Sequence, residues 1–152
     1  MAKALIVGFG NLLMGDDGAG IHLIRKLAKQ PLPAQVELLD GGVNSFAALT
    51  ELRYAAQGIF IDTMIGGGVP GDIYRLTDGH LDNQSCSNAL SVHEFSLIDS
   101  LRLFKQMGEV PSFIIYGIEP ATIELGMELS PQVTLAVDKV IAKIMEDLNS
   151  IM

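Results

Sequence analysis

Apolar and polar positions along this chain switch repeatedly between two rhythms, and the switches mark its elements. The run KALIVGFG at residues 3–10 has no polar alternation and is too short for a helix, so it predicts a strand buried on both faces. From about Asp17 to Gln30 the spacing becomes helical: Leu23, Ile24 and Leu27 share one face, with basic residues between them. The prolines of KQPLPAQ, residues 29–35, end that helix. VELLD at 36–40 reads as a second short strand running into DGG, and a helix over about 45–55 would turn Phe46, Leu49 and Leu52 inward. GIFIDTM at 58–64 is a third strand, apolar until Asp62 interrupts it.

The second half continues the pattern. IGGGVPGD at 65–72 reads as a mobile turn, and DIYRLT at 72–77 alternates as a short fourth strand. A return of about eight residues cannot hold the crossover of a parallel pair, so this strand is predicted antiparallel. Residues 78–90 are polar and loop-like. In SVHEFSLIDSLRLFKQMG, Ser91 and Glu94 have capping-box spacing and Gly108 is placed as the stop. SFIIYGIEP at 112–120 supplies the fifth strand, and the closing helix starts with Ser130 as cap and Pro131 in its first turn. The order predicts a three-layer α/β/α sandwich around a mostly parallel five-stranded sheet with strand 4 antiparallel. At 152 residues and 49% hydrophobic, the chain fits a single domain over 1–152.

Composition narrows the function classes. A net charge of −8 argues against a nucleic-acid partner, and the one basic cluster, RKLAK at 25–29, looks like a solvated helix face. No apolar stretch approaches the roughly 18 residues of a membrane span, and MAKALIVGFG lacks the features of a secretory signal. The single cysteine, Cys86, excludes an intramolecular disulfide and a thiolate metal cage. A soluble, cytoplasmic protein without membrane insertion is expected.

Ligands of open α/β sheets gather outside the carboxyl ends of the strands. Three such ends carry acids: Asp16 and Asp17 after the first strand, Asp40 after the second, Asp62 in the third. One of Asp16 and Asp17 is expected to cap the first helix, but two adjacent acids exceed what capping requires. Of the three histidines, His22 and His80 read as surface or loop residues. His93 falls in a first helical turn, where the dipole keeps imidazole neutral, as metal ligation requires. Two carboxylates and a neutral imidazole suit a borderline divalent metal such as nickel, zinc or iron. HEFSL at 93–97 has Leu97 where a zinc protease needs its second histidine, and no G-x-S-x-G elbow is present. A dinucleotide site is disfavoured as well. Gly8 and Gly10 match a fingerprint whose third glycine is replaced by Leu13, which should prevent close packing of the helix, and the acids would repel a pyrophosphate.

GFGNLLMGDDGAG, LLDGG at 38–42, IFIDTM at 59–64, SVHEFSL at 91–97 and YGIEPATIELGMELSP at 116–131, in this order, resemble the maturation endopeptidases of nickel–iron hydrogenases. The likeness spans nearly the whole chain. It implies a twisted five-stranded sheet between helices, and removal of a C-terminal extension from the hydrogenase large-subunit precursor after nickel insertion. It also implies direct recognition of that nickel by an acid of the first loop, an acid of the third strand and a histidine: here Asp17, Asp62 and His93, as catalytic and metal-binding residues. The loop acid is glutamate in some members, so Asp16 and Asp17 both stay open as the ligand. Asp40, Gly41 and Gly42 match the segment linked to substrate binding. The nickel would come with the substrate, with zinc or cadmium able to substitute in vitro, and a monomer is implied. Two other classes fit the residues alone: a non-catalytic nickel-checkpoint module, and a small-molecule hydrolase or phosphorylase-like enzyme.

Overall fold

The computed structural model describes residues 4–81, 90–91, 97–108 and 110–151. Strands β1 (Ala4–Phe9), β2 (Val36–Gly42), β3 (Gln57–Ile65), β4 (Ile73–Thr77) and β6 (Ser112–Ile118) form a sheet in the order β2-β1-β3-β6-β4. All neighbours are parallel except β4, which runs antiparallel to β6 with Tyr74 opposite Gly117. The short return after β3 therefore does what its length demands. A two-residue strand, β5 (Leu90–Ser91), adds antiparallel to Met64 and Ile65 at the end of β3.

Helices α1 (Ala19–Leu27) and α5 (Pro131–Ile151) cover one face, while α2 (Ser45–Leu49) and α4 (Leu97–Met107) cover the other. The central strands β1, β3 and β6 are buried on both faces. Alternate side chains serve the two cores. Ile6, Ile59, Ile61 and Ile118 meet Leu23, Leu27, Val137 and Val140 on one side. Leu5, Val7, Phe60 and Ile115 meet Leu49, Leu52 and Leu101 on the other. Each fully buried aliphatic or aromatic side chain contributes about 1.5–3 kcal/mol of transfer free energy. No helix among the described residues is long and apolar enough to cross a membrane.

Several expectations need correction. The predicted helix over 45–55 divides into α2 and a 3-10 turn, Thr50–Tyr54, with the Asn44 side chain accepting from Ala47 N–H as cap. Leu49 and Leu52 are buried, but Phe46 is 37% exposed and lies against Phe104, ring centroids 4.8 Å apart. Between 78 and 90 the chain is not wholly loop: α3 (Asp78–Leu81) precedes β5, and His80 Nδ1 accepts from Thr77 N–H at 2.9 Å. Gly108 follows the last residue of α4 as predicted, whereas Glu94 and Cys86 lie outside the described residues.

The absent third glycine at Leu13 does not hold α1 away from the sheet. Gly20 takes that part: a Cβ there would stand 2.4 Å from the Phe9 carbonyl oxygen and 2.7 Å from that of Ile61. Gly8 faces it, since a Cβ on Gly8 would lie 2.1 Å from the Gly20 carbonyl oxygen. Two facing glycines seat the helix against β1 and β3 at a distance no side chain allows.

Candidate functional site

The loops leaving the carboxyl ends of β1, β2, β3 and β6 are tied to one another. β1 exits through Gly10, whose φ is +139° and where a Cβ would collide with the Asp17 carbonyl oxygen at 1.9 Å. The chain then doubles back through an Asn11 turn, Leu13 N–H donating to Asn11 Oδ1 at 3.0 Å, into a 3-10 turn over Gly15–Gly18. That turn holds Asp16 and Asp17, both buried. Neither carboxylate caps α1, whose N-cap position is Gly18 with no side-chain hydrogen bond.

The two neighbours are used differently. Asp16, with no exposure, accepts four hydrogen bonds: Ser130 N–H on Oδ1 at 2.7 Å, then Ala121 N–H, Thr122 N–H and the Ser130 hydroxyl on Oδ2 at 2.8, 3.1 and 2.9 Å. It thus pins the segment 119–130 to the first loop. Ser130 in turn caps α5, its Oγ accepting from Val133 N–H at 3.4 Å. Backbone bonds close the same clasp, Gly15 N–H to the Gly126 carbonyl at 2.7 Å and Gly126 N–H to that of Leu13 at 2.8 Å. Asp17, 2% exposed, accepts from Asn11 N–H through Oδ2 at 3.1 Å.

Asp62 is also 2% exposed, and its Oδ1 accepts from Thr63 N–H at 2.8 Å. The Thr63 hydroxyl donates to the Asp16 carbonyl at 3.1 Å, which ties the acid-bearing turn to the strand residue beside Asp62. The turn that carries Asp17 therefore follows β1, the strand that carries Asp62 is its neighbour β3, and the Thr63–Asp16 bond joins the two at the carboxyl end of the sheet. His93 lies outside the described residues, and among the described residues no three His, Cys, Asp or Glu side chains assemble as a metal cluster. The chemistry of two buried carboxylates is that of hard oxygen donors: they bind a cation, or one of them accepts a proton.

Asp40 is exposed at the end of β2, its Oδ1 accepting from Gly42 N–H at 2.9 Å. Gly10 N–H donates to the Gly42 carbonyl at 2.8 Å, so this segment borders the first loop. Gly41 has a packing reason to be glycine, because a Cβ would stand 2.5 Å from the Phe9 ring.

Glu119 escaped the sequence reading. It is 5% exposed, and its Oε1 accepts from Gly66 N–H (2.9 Å), Gly68 N–H (3.0 Å) and the Tyr74 hydroxyl (2.6 Å). Burial, with the bond to Glu119 second, raises the Tyr74 pKa. The Gly-rich turn after β3 is thus held down, not the unconstrained segment its composition suggests. The signal was available: Glu119 follows a buried apolar strand just as Asp62 interrupts one.

The family model described as hydrogenase maturation protease matches residues 21–147. The chain belongs to this family. It is 30% identical over 151 residues to the hydrogenase expression/formation protein HupD of Rhodobacter capsulatus, covering 97% of this chain and 72% of that one. It is 26% identical over 150 residues to the hydrogenase 2 maturation protease of Escherichia coli, covering 97% and 91%. Among solved structures, the hydrogenase-maturating endopeptidase HybD from Escherichia coli superposes with a TM-score of 0.85 at 26% identity, over 97% of this chain and 93% of the other. The fold and the class of reaction follow: a hydrogenase maturation protease built on a mixed sheet between helices. The matched span includes Asp62 and His93 and begins just after the Asp16–Asp17 turn.

Proposed function

We propose that this protease removes the C-terminal extension of a nickel–iron hydrogenase large-subunit precursor once nickel is in place. Asp17, Asp62 and His93 recognise that nickel, which belongs to the substrate. The observation that carries the reading is the division of labour in the first loop. Asp16 spends both oxygens on four protein donors, which supports assigning the cation to its neighbour Asp17 together with Asp62. Three protein ligands leave positions open for groups of the substrate, and that incompleteness is what a loading sensor needs. A bound metal polarises a carbonyl or acidifies a water. The chain's own contribution is to hold two carboxylates in fixed, buried positions, ready to bind charge or to take a proton from the attacking water. Asp40, Gly41 and Gly42 present backbone along the neighbouring strand end, where an extended substrate segment can lie. The enzyme works as a cytoplasmic monomer. Membership in a protease family supports this reading over the checkpoint module and the small-molecule hydrolase.

The test incubates the enzyme with nickel-loaded and nickel-free precursor and follows the C-terminal peptide by mass. Loaded precursor is cut and empty precursor left intact; Asp62→Asn and His93→Ala lose cleavage. Equal cutting of both precursors would remove the nickel requirement and spare the protease. Cleavage in both variants at the wild-type rate would remove the proposed ligands. Cadmium or zinc titration by calorimetry gives a second readout, in which Asp17→Asn and Asp62→Asn weaken metal uptake.

A further inference from the structure

Beside the site, behind the segment that Asp16 pins, lies a cavity of about 550 Å³ between α1 and the 127–129 stretch. Its floor is apolar, from Met127, Leu129 and Val137, and its lip is cationic, from Arg25 and Lys26 on α1 and Lys29 just past the end of that helix. In a chain of net charge −8, three of the ten Lys and Arg residues stand within five positions here. Lys26 is paired with Asp138, and Glu128 is the acid among the lining residues. Arg25 and Lys29 are exposed and form no ion pair among the described residues. His22 Nε2 donates to the Met127 carbonyl at 3.1 Å and fixes the wall of the cavity to the helix.

We propose that this cavity docks an acidic segment of the protein substrate, with an apolar side chain of that segment seated between its carboxylates. The identity of the substrate rests on the protease reading above; the chemistry of the pocket does not. A peptide is favoured because the floor is apolar and the cations are few. A nucleic acid would bring a continuous line of phosphates against a surface that is otherwise negative. The place of the pocket gives it a purpose. Its wall includes Met127 to Leu129, and the next residue, Ser130, is bonded to Asp16, next to Asp17. A segment held here delivers the precursor to the acid pair without touching the scissile bond. Such docking charges act on encounter and dissociation, not on the chemical step.

The experiment measures binding of nickel-loaded precursor by surface plasmon resonance at low and high salt, alongside kcat and KM. Arg25→Glu/Lys29→Glu binds about tenfold more weakly at low salt, the difference shrinks at high salt, and kcat is unchanged. Arg25→Gln/Lys29→Gln gives a smaller change in the same direction. Both pairs are exposed and are expected to melt like the wild type. Unchanged affinity and unchanged salt dependence in the charge-reversed variant would overturn the pocket. So would a wild type that fails to bind the precursor, or one that binds single-stranded DNA more tightly through the same two residues. Binding that depends on Arg25 and Lys29 without cleavage would sink the protease reading and leave the pocket standing.

Discussion

Asp16 and Asp17 share a turn, a charge and nearly complete burial, yet their surroundings differ in kind. Asp16 has both carboxylate oxygens filled by four donors from residues 121, 122 and 130, more than a hundred positions away. Asp17 accepts from Asn11 N–H, six positions away, through Oδ2. Glu119 is a third case, with three donors converging on a single oxygen. A buried carboxylate is costly unless its lone pairs are satisfied, so the pattern of donors states what each acid is for. Asp16 is a cross-link between loops and Glu119 a peg for the turn after β3, which leaves Asp17 as the acid proposed for the cation. Replacing each carboxylate by its amide separates the three, because an amide keeps one acceptor oxygen and turns the other into a donor.

The largest effect belongs to Asp16. In Asp16→Asn the new NH2 must face either Ser130 N–H or the group of donors on the other oxygen, and a buried donor is stranded whichever way it turns. A loss of about 3 kcal/mol or more is expected, read as a fall in the denaturation midpoint, with Asp16→Ala no milder. If Asp16→Asn melts like the wild type, the clasp is not what holds the 119–130 segment.

Asp17→Asn can keep the bond from Asn11 and should fold. It loses the charge that a cation needs, so cleavage of loaded precursor is expected to fall about a hundredfold or more with the melting temperature little changed. An active Asp17→Asn beside an inactive but folded Asp16→Asn would invert the assignment of the two acids.

How much of this was legible beforehand depends on the range of the interaction. The five main strands, α1, α5 and the antiparallel β4 are written in local periodicity and in the length of a return, so the sequence shows them. Asp62 also stood out, as a charge inside an apolar run. The division between Asp16 and Asp17 was not legible, because the donors that occupy Asp16 arrive from the far end of the chain. Gly20 was missed for a related reason. The position fitted to a dinucleotide fingerprint was Leu13, while the close approach of helix to sheet occurs seven residues further on, at Gly20 opposite Gly8. Phe46 had the helical spacing of a core residue, but its helix ends after five residues and turns it toward Phe104 at the surface.

Glu119→Gln is the mild member of the series. Its amide oxygen can still accept from Gly66, Gly68 and Tyr74, so a loss of about 1 kcal/mol is expected and cleavage should stay within a few-fold of wild type. The contrast with Asp16→Asn isolates the number of oxygens in use, since both acids are buried and both hold a loop. A collapse of Glu119→Gln to the level of Asp16→Asn would mean that the negative charge, not the acceptor, secures the turn.

The smallest effect lies away from the acid pair and serves as its control. The Tyr116 hydroxyl donates to Asp147 on α5 and accepts from Arg75 Nε at 3.3 Å, while Arg75 and Asp147 pair at 3.4 Å. Burial first, and the bond to Asp147 second, push the Tyr116 pKa up to about 12. Below pH ~10 both folded and unfolded chains keep the phenolic proton, so the raised pKa costs no stability there. Between ~10 and ~12 the unfolded chain releases it and the folded chain retains it, so stability falls by about 1.4 kcal/mol per pH unit from this group. Tyr116→Phe has no proton to lose, and its alkaline stability curve should be flatter than that of the wild type by that slope. At neutral pH it should cleave loaded precursor as the wild type does. Asp147 anchors the far part of α5 and Asp16 its first turn, so a loss of cleavage in Tyr116→Phe would show that the whole helix, not the Asp16 clasp alone, sets the position of the acid pair.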